Sequence, residues 1–243
     1  MGYKKERFFI VAFLFRSLVR PILFRFDPEW IHDRTIQISE GIGKVDWAIG
    51  LLRKHYRTHD ERLRIDLGGL SFNNPIGLAA GFDKNGRAIS LLRALGFGHI
   101  EVGSVSINSS KGNPRPRLFR LPQDEAIIVN YGVPNQGAKV VGERLGHCCS
   151  QGPIGINIVE TNTCKTSTTD QIIEEYVEAT RLLSANADYI TLNLNCPNTS
   201  AGESIFDKAS VLKSLMEGCD KIRDLPPIFL KLTAHCDGQR MER

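Results

Sequence analysis

The stretch Ala187-Asp188-Tyr189-Ile190-Thr191-Leu192-Asn193-Leu194-Asn195-Cys196-Pro197-Asn198-Thr199 decides how this chain is read. Residues 187–194 are almost all apolar or β-forming, the pattern of a buried strand, and Pro197 ends them. Around that end sit Asn193, Asn195 and Asn198 with the thiol of Cys196. Parallel α/β folds collect their sites at the C-terminal ends of strands. Amide side chains there can hold a planar polar ring, and a neighbouring cysteine can take a proton. The same residues also suit an ordinary strand-to-helix turn, where Asn and Pro are common. The segment alone leaves both readings open.

Outward from it, apolar runs alternate with helical patterns. Strands are expected at Ile76–Ala80, His99–Val105, Ile154–Val159, Tyr189–Leu194 and Ile228–Leu232, and helices at Gly86–Leu95, Gln136–Leu145, Thr168–Leu183 and Asp207–Arg223. Such alternation implies βαβ units, a parallel sheet and right-handed crossovers. A short strand pair over Leu67–Phe72 precedes the first core strand, as a lid on the bottom of a barrel would. The spacing fits a (β/α)8 barrel of the TIM type, which takes about 250 residues for its eight units. The chain has 243 residues and spends its first quarter on something else. The expected fold class is therefore α/β, an incomplete barrel of about five of eight strands (residues 65–243), truncated at its C-terminal side. Its first and fifth strands are expected to be open edges.

Residues 1–64 read as an N-terminal helical extension. Lys4, Lys5, Arg7, Arg16, Arg20 and Arg25 bracket Phe8–Phe15, Leu18-Val19 and Ile22-Leu23-Phe24, with Glu6 the one acid before Asp27. The apolar run falls short of the about 20 residues that span a bilayer. No small-residue cleavage site follows it, and Glu6 replaces the Ser/Thr of a myristoylation signal. Basic residues around aromatic ones suit a segment lying in a membrane interface; a helix packed on the protein's own body is the alternative. Asp27-Pro28-Glu29 opens a second helix with an N-cap, a proline at the first position and an acid in the first turn. The polar run from Arg53 to Arg64 reads as a linker.

Composition narrows the classes. A hydrophobic fraction of 42% with 24% charged residues is globular, and a net charge of +4 makes no case for nucleic acid. None of the six cysteines forms a C-x-x-C pair, so a reduced intracellular setting is expected rather than a disulfide framework. The six histidines lack metal-ligand spacing and are expected to be solvated or capping; no metal site is expected. Neither a Walker loop nor a dinucleotide Gly-x-Gly-x-x-Gly is present.

Gly77-Leu78-Ala79-Ala80-Gly81-Phe82-Asp83-Lys84-Asn85-Gly86 ends the first core strand in small residues that let a flat ring approach the backbone, then a lysine. With Glu101-Val102-Gly103-Ser104-Val105, the basic loop Lys111–Pro122, the asparagine segment and Phe229-Leu230-Lys231-Leu232, it resembles the dihydroorotate dehydrogenase family over about residues 20–232. The extension, with Arg25-Phe26-Asp27-Pro28-Glu29-Trp30-Ile31-His32, resembles that family's membrane-associated, quinone-dependent branch. The resemblance implies oxidation of dihydroorotate to orotate with FMN in pyrimidine biosynthesis. It implies a quinone as electron acceptor, and N-terminal helices on a membrane surface. The protein would be peripheral on an inner-membrane face, the cell membrane in a bacterium and the mitochondrial inner membrane in a eukaryote.

By the same resemblance, Ala79, Ala80, Gly81, Lys84, Gly103, Ser104, Asn157 and Lys231 match flavin-contacting positions. Lys84, Asn130, Asn193 and Asn198 match contacts to the pyrimidine ring, and Cys196 falls at the base that removes the C5 proton. A lysine near the flavin's pyrimidine end stabilises the negative charge of the reduced ring. Two features depart from the quinone branch. Cys196 stands where that branch carries Ser, although a thiol with an ordinary pKa of about 8.5 is a competent base. Val129-Asn130-Tyr131-Gly132-Val133-Pro134-Asn135 resembles the soluble branch instead, leaving open whether Asn130 or Asn135 supplies a ring amide. A soluble-acceptor (fumarate-type) enzyme and a non-catalytic remnant without a flavin phosphate site are the alternatives.

Overall fold

The computed structural model describes residues 13–146, 152–162, 167–194 and 205–232. Five strands, β3 (Gly77–Leu78), β4 (His99–Val105), β7 (Ile154–Ile158), β8 (Tyr189–Asn193) and β9 (Ile228–Lys231), form one parallel sheet in that order. This is the expected open (β/α) arrangement, with β3 and β9 at its edges. Two antiparallel hairpins flank it, β1 (Ile65–Leu67) with β2 (Leu70–Phe72), and β5 (Leu118–Leu121) with β6 (Ala126–Val129). Helices α4 (Ile89–Ala94), α5 (Ala138–Leu145), α6 (Thr169–Leu183) and α7 (Ala209–Cys219) follow core strands or the second hairpin. Before them come a π-helical turn (Phe15–Val19) running into α1 (Arg20–Leu23), then α2 (Pro28–Gly43) and α3 (Asp46–Tyr56).

Alternation along β7 and β8, and along β4 as far as a register shift between Gly103 and Val105, divides the sheet into two chemically different faces. Ile100, Val102, Val105, Ile156, Ile158, Ile190 and Leu192 have no solvent exposure and share one core with helix residues such as Leu92, Val141, Tyr176, Leu183 and Leu215. Helix α6 shows why the helices lie there. It buries Ile172, Tyr176, Ala179, Thr180 and Leu183, an i, i+4, i+7, i+8, i+11 stripe. Thr168 and Gln171 close its first turn as a reciprocal capping box. Each such aliphatic side chain contributes roughly 1.5–3 kcal/mol on burial.

The opposite face carries glycines and polar groups. Gly103 pairs in register with Asn157, Asn157 with Thr191, and Asn193 with Lys231. A Cβ on Gly155 would lie 2.1 Å from Cζ of Tyr189, so only glycine admits that ring. The β1–β2 hairpin packs at the N-terminal end of this face, where Phe72 meets His99 edge-on at 5.2 Å.

Several expectations are corrected. Helix α3 runs on to Tyr56, into the stretch read as a linker, because Trp47 to Leu52 continue one turn beyond into Arg53–His55. The end of the basic loop is strand β5, which pairs with β6 just beyond it in a hairpin that the sequence pattern did not announce. Helix α7 starts at Ala209, after a 3-10 turn at Ile205–Asp207, and stops at Cys219. His32 and His99 are neither solvated nor capping. His32 packs on Phe82 at 5.2 Å, His99 lies between Phe72 and Tyr189, and burial lowers the pKa of both. Asp27 caps α2 as expected, accepting from the Trp30 amide at 2.7 Å. Among the described residues no helix is long and apolar enough to cross a membrane.

Candidate active site

The polar face of the sheet gathers Glu101, Ser104, Asn157, Thr191 and Asn193 from three adjacent strands. Asn157 is fully buried and donates through Nδ2 to Glu101 Oε1 at 2.8 Å. Ser104 Oγ donates to Asn157 Oδ1 in a short hydrogen bond. Asn193 Nδ2 donates to Ser104 Oγ at 3.4 Å. The second oxygen of Glu101 accepts from Thr191 Oγ1 at 3.0 Å and from the Tyr189 hydroxyl at 3.5 Å. Burial and the Glu101 charge push the Tyr189 phenol well above its usual range, so it stays a donor. The backbone carbonyl of Asn193 accepts from Tyr176 at 2.6 Å, which fixes the end of β8 to helix α6. Within this cluster Asn193 Oδ1 is buried and has no hydrogen-bond partner among the described residues; His99 Nδ1, on the same face, is likewise unmatched. A buried acceptor left open costs about 1–3 kcal/mol, and a ligand N–H would satisfy it.

Above the end of β3 the backbone is arranged for close approach. Gly81 has φ of +111°, donates to the Gly103 carbonyl at 2.7 Å, and a Cβ on it would meet nothing within 4 Å. Gly103 donates in turn to the Asp83 carbonyl at 3.3 Å, and a Cβ on it would strike the Asn157 carbonyl at 2.5 Å. Gly81, Gly103, Ser104, Asn157 and Asn193 are thus brought together by direct bonds. Open space over Gly81 and an orphaned buried amide oxygen on Asn193 are the two features a flat heterocycle with ring N–H groups would use.

The other expected site residues lie further out. Ala79 and Lys231 line a cavity of about 510 Å³ on the same face, with Glu101, Thr191, Tyr189 and Phe229. Lys231 is exposed at the edge strand. Ala80 is half-buried beside Gly81. Lys84 points to a different space, a cavity of about 590 Å³ shared by helix α2 (Trp30, His32, Asp33) and the barrel loops (Phe82, Arg117, Tyr131). Its ammonium sits 4.3 Å from the centre of the Tyr131 ring. Burial lowers the Lys84 pKa, and Asp33 and Glu29 oppose this only in part. Burial also pushes the Tyr131 phenol up to about 12.

Asn130 is exposed, and its side chain accepts from Asn113 Nδ2 at 2.8 Å, a rim position rather than a member of the inner cluster. Asn135 is buried and fully engaged. Its Oδ1 accepts from the Ser106 and Gly137 amides, and its Nδ2 donates to Ser106 Oγ and the Val133 carbonyl. It holds its own loop. Cys196 and Asn198 lie outside the described residues. No group of His, Cys, Asp or Glu among the described residues could hold a metal ion.

Two features escaped the sequence reading. Glu101 was part of a quoted strand but had no role. Glu29, read as a first-turn acid, is the buried partner of Arg117, which reaches it through Nε at 3.1 Å and through Nη2 at 2.7 Å. Arg117 Nη1 also donates to the carbonyls of Lys111 and Asn113. Burial alone would raise the Glu29 pKa; the bonds and charges of Arg117 and Arg115 outweigh it and hold the carboxyl below its usual range. Arg120 donates to the carbonyls of Leu23 and Phe26, and Arg87 to Glu40. Helix α2 and its approach are therefore latched to the barrel by arginines of the barrel. An excess of arginine in the loop Arg115–Arg120 was the one available signal.

Comparison with known proteins agrees with this geometry. The family model described as dihydroorotate dehydrogenase matches residues 62–241. A dihydroorotate dehydrogenase (quinone) of Acidithiobacillus ferrooxidans is 40% identical over 205 residues, covering 83% of this chain and 54% of that protein. One from a Nostoc species is 38% identical over 231 residues, covering 90% of this chain and 60% of its own. The chain thus spans little more than half the length of these curated relatives. Among solved structures, the DHODH of Eimeria tenella in complex with ferulenol superposes with a TM-score of 0.70 at 27% identity, covering 88% of this chain and 61% of that one. Family match, relatives and a sheet whose polar face carries the expected glycines and amides converge, and the chain belongs to the dihydroorotate dehydrogenase family.

Proposed function

We propose that this chain contributes the ring-binding half of a flavin-dependent dihydroorotate dehydrogenase, with FMN as the flavin and a quinone as electron acceptor. The observation that carries the reading is the buried Asn193 Oδ1, left without a partner beside Ser104 and Asn157, with open space over Gly81. Ala79, Ala80, Gly81, Gly103 and Ser104 would hold the flavin ring by close backbone approach, with Asn157 behind them. FMN bound there supplies a hydride acceptor. Asn193 and Asn198 orient the pyrimidine ring, Asn193 by accepting from a ring N–H. Cys196, three residues beyond β8, takes the C5 proton on Sγ as dihydroorotate loses a hydride to FMN. The names of the relatives support the quinone. So does the cavity of about 590 Å³ between helix α2 and the barrel.

The test is reconstitution with FMN followed by dihydroorotate oxidation with a short-chain quinone or with fumarate. Quinone-dependent turnover, lost in Cys196→Ala and partly kept in Cys196→Ser, is expected. Turnover with fumarate alone would favour the soluble-acceptor reading that Cys196 suggests. A chain that takes up neither FMN nor orotate would leave the reading without support.

A membrane surface is the proposed partner of the extension. Phe13, Phe15, Leu18 and Ile22 are exposed beside Arg16 and Arg20. Anionic vesicles are expected to sediment the whole chain and to release it when residues 1–26 are deleted. Equal sedimentation of both forms would refute this placement.

A further inference from the structure

The polar face has a direction. As a carboxylate, Glu101 can only accept. Its Oε1 lies 2.8 Å from the Asn157 amide, so the group facing it must be Nδ2; a flipped amide would set two oxygens against each other. Asn157 Oδ1 must then face Ser104, whose single proton is spent on it. With that proton used, Ser104 Oγ can only accept from Asn193, and the donor is Nδ2 at 3.4 Å. Asn193 Oδ1 is thereby left as a bare acceptor, buried and unmatched among the described residues.

We propose that Glu101 is a positioning residue that sets the polarity of the relay Asn157–Ser104–Asn193, so that the site presents an acceptor to the ring and selects ligands carrying an N–H there. The inference rests on the pyrimidine reading above for its ligand and on the bond network alone for its direction. Thr191 supports it from the other side. Its hydroxyl donates to Glu101 Oε2 at 3.0 Å and keeps the carboxylate in place.

Glu101→Gln separates direction from bonding. A glutamine fills the same volume and satisfies Asn157 and Thr191 in either of two senses, because both the Asn157 amide and the Thr191 hydroxyl can reverse. With the Tyr189 hydroxyl able to reverse as Thr191 does, the relay then has two accessible polarities. Asparagine-selective 15N labelling reads this without any ligand. Wild type is expected to show one pair of side-chain amide resonances for each of Asn157 and Asn193, and Glu101→Gln to show doubled or exchange-averaged pairs at a new position. Unmoved single pairs in Glu101→Gln would overturn the relay.

The second arm uses orotate and an analogue with oxygen in place of a ring N–H, titrated with the reconstituted chain. Wild type is expected to prefer orotate by at least about 100-fold, since a site built around a ligand N–H discriminates strongly against its loss. In Glu101→Leu the preference is expected to fall below about tenfold, because Asn193 is then free to present Nδ2. An unchanged ratio would overturn the proposal. Wild type that fails to bind orotate, yet shows the amide response, would refute the pyrimidine reading and leave the relay standing.

Discussion

Replacing Glu29 should do more damage than its place in the first turn of a helix suggests. Arg117 and Glu29 are each about 6% exposed, and the carboxylate receives three contacts from that one guanidinium. Glu29→Ala strands Nε and Nη2 of a largely buried Arg117, while Nη1 keeps its backbone carbonyls. Breaking one side of a buried pair costs about 3–5 kcal/mol. The Arg115 contact, made by a side chain 63% exposed, adds little. At about 2 °C per kcal/mol for a chain of this size, Tm should fall by about 6–10 °C. Glu29→Leu with Arg117→Met should recover most of the loss, since an apolar pair escapes desolvation. The pH dependence has a definite sign. The folded pKa of Glu29 lies below the ordinary carboxyl value of 4.5, so its stabilisation is complete above that value and is lost as pH falls through the folded pKa. The gap between wild type and Glu29→Ala should therefore narrow on acidification from about pH 4.5 downward. Denaturant titrations from pH 7 to pH 3 measure both effects. A loss no larger than that of Asp33→Ala, whose carboxylate is 60% exposed, would refute the latch.

Three further outcomes are expected. Lys84→Met should not lower stability near neutral pH, because the buried ammonium it removes is opposed only in part by Asp33 and Glu29. The depressed pKa of Lys84 means that wild-type stability rises as pH climbs through it toward 10.5, a rise the variant should lack in urea titrations. Leu192→Ala, at a position with no exposure in the layer between sheet and helices, should cost about 2–5 kcal/mol by thermal or urea unfolding. Gly155→Ala should destabilise by about 1–3 kcal/mol from overpacking against Tyr189. A double-mutant cycle with Tyr189→Leu should show that penalty largely relieved; additive losses would mean the ring is not what excludes a side chain.

The sheet was legible because its two faces follow one rule along β7 and β8, broken in β4 only by a register shift between Gly103 and Val105. Ile154–Ile158 and Tyr189–Asn193 put branched side chains toward the helices and glycine or polar ones on the other face, and that alternation reads directly off the residues. The glycines of the site were legible for the same local reason. What escaped depends on distance along the chain. Glu29 and Arg117 are 88 residues apart, and nothing in either neighbourhood announces the other. The β5–β6 hairpin was masked by Pro114, Pro116 and Pro122 around Leu118–Leu121, which made a strand look like a loop. Asn135 invited a ligand role by its motif, yet its four bonds are spent inside its own turn. Glu101 was hidden in plain view, since a lone acid in an apolar strand declares its partners only when neighbouring strands are laid beside it.

The arginine grip on the extension has a geometric corollary. Because Arg120 holds the carbonyls of Leu23 and Phe26 while Arg117 holds Glu29, the greasy underside bearing Phe15, Leu18 and Ile22 keeps a fixed attitude to the rim of the sheet. Any oily layer on which that underside settles would orient the whole molecule like a hull on water, with the mouth between helix α2 and the barrel always at the same height above the surface.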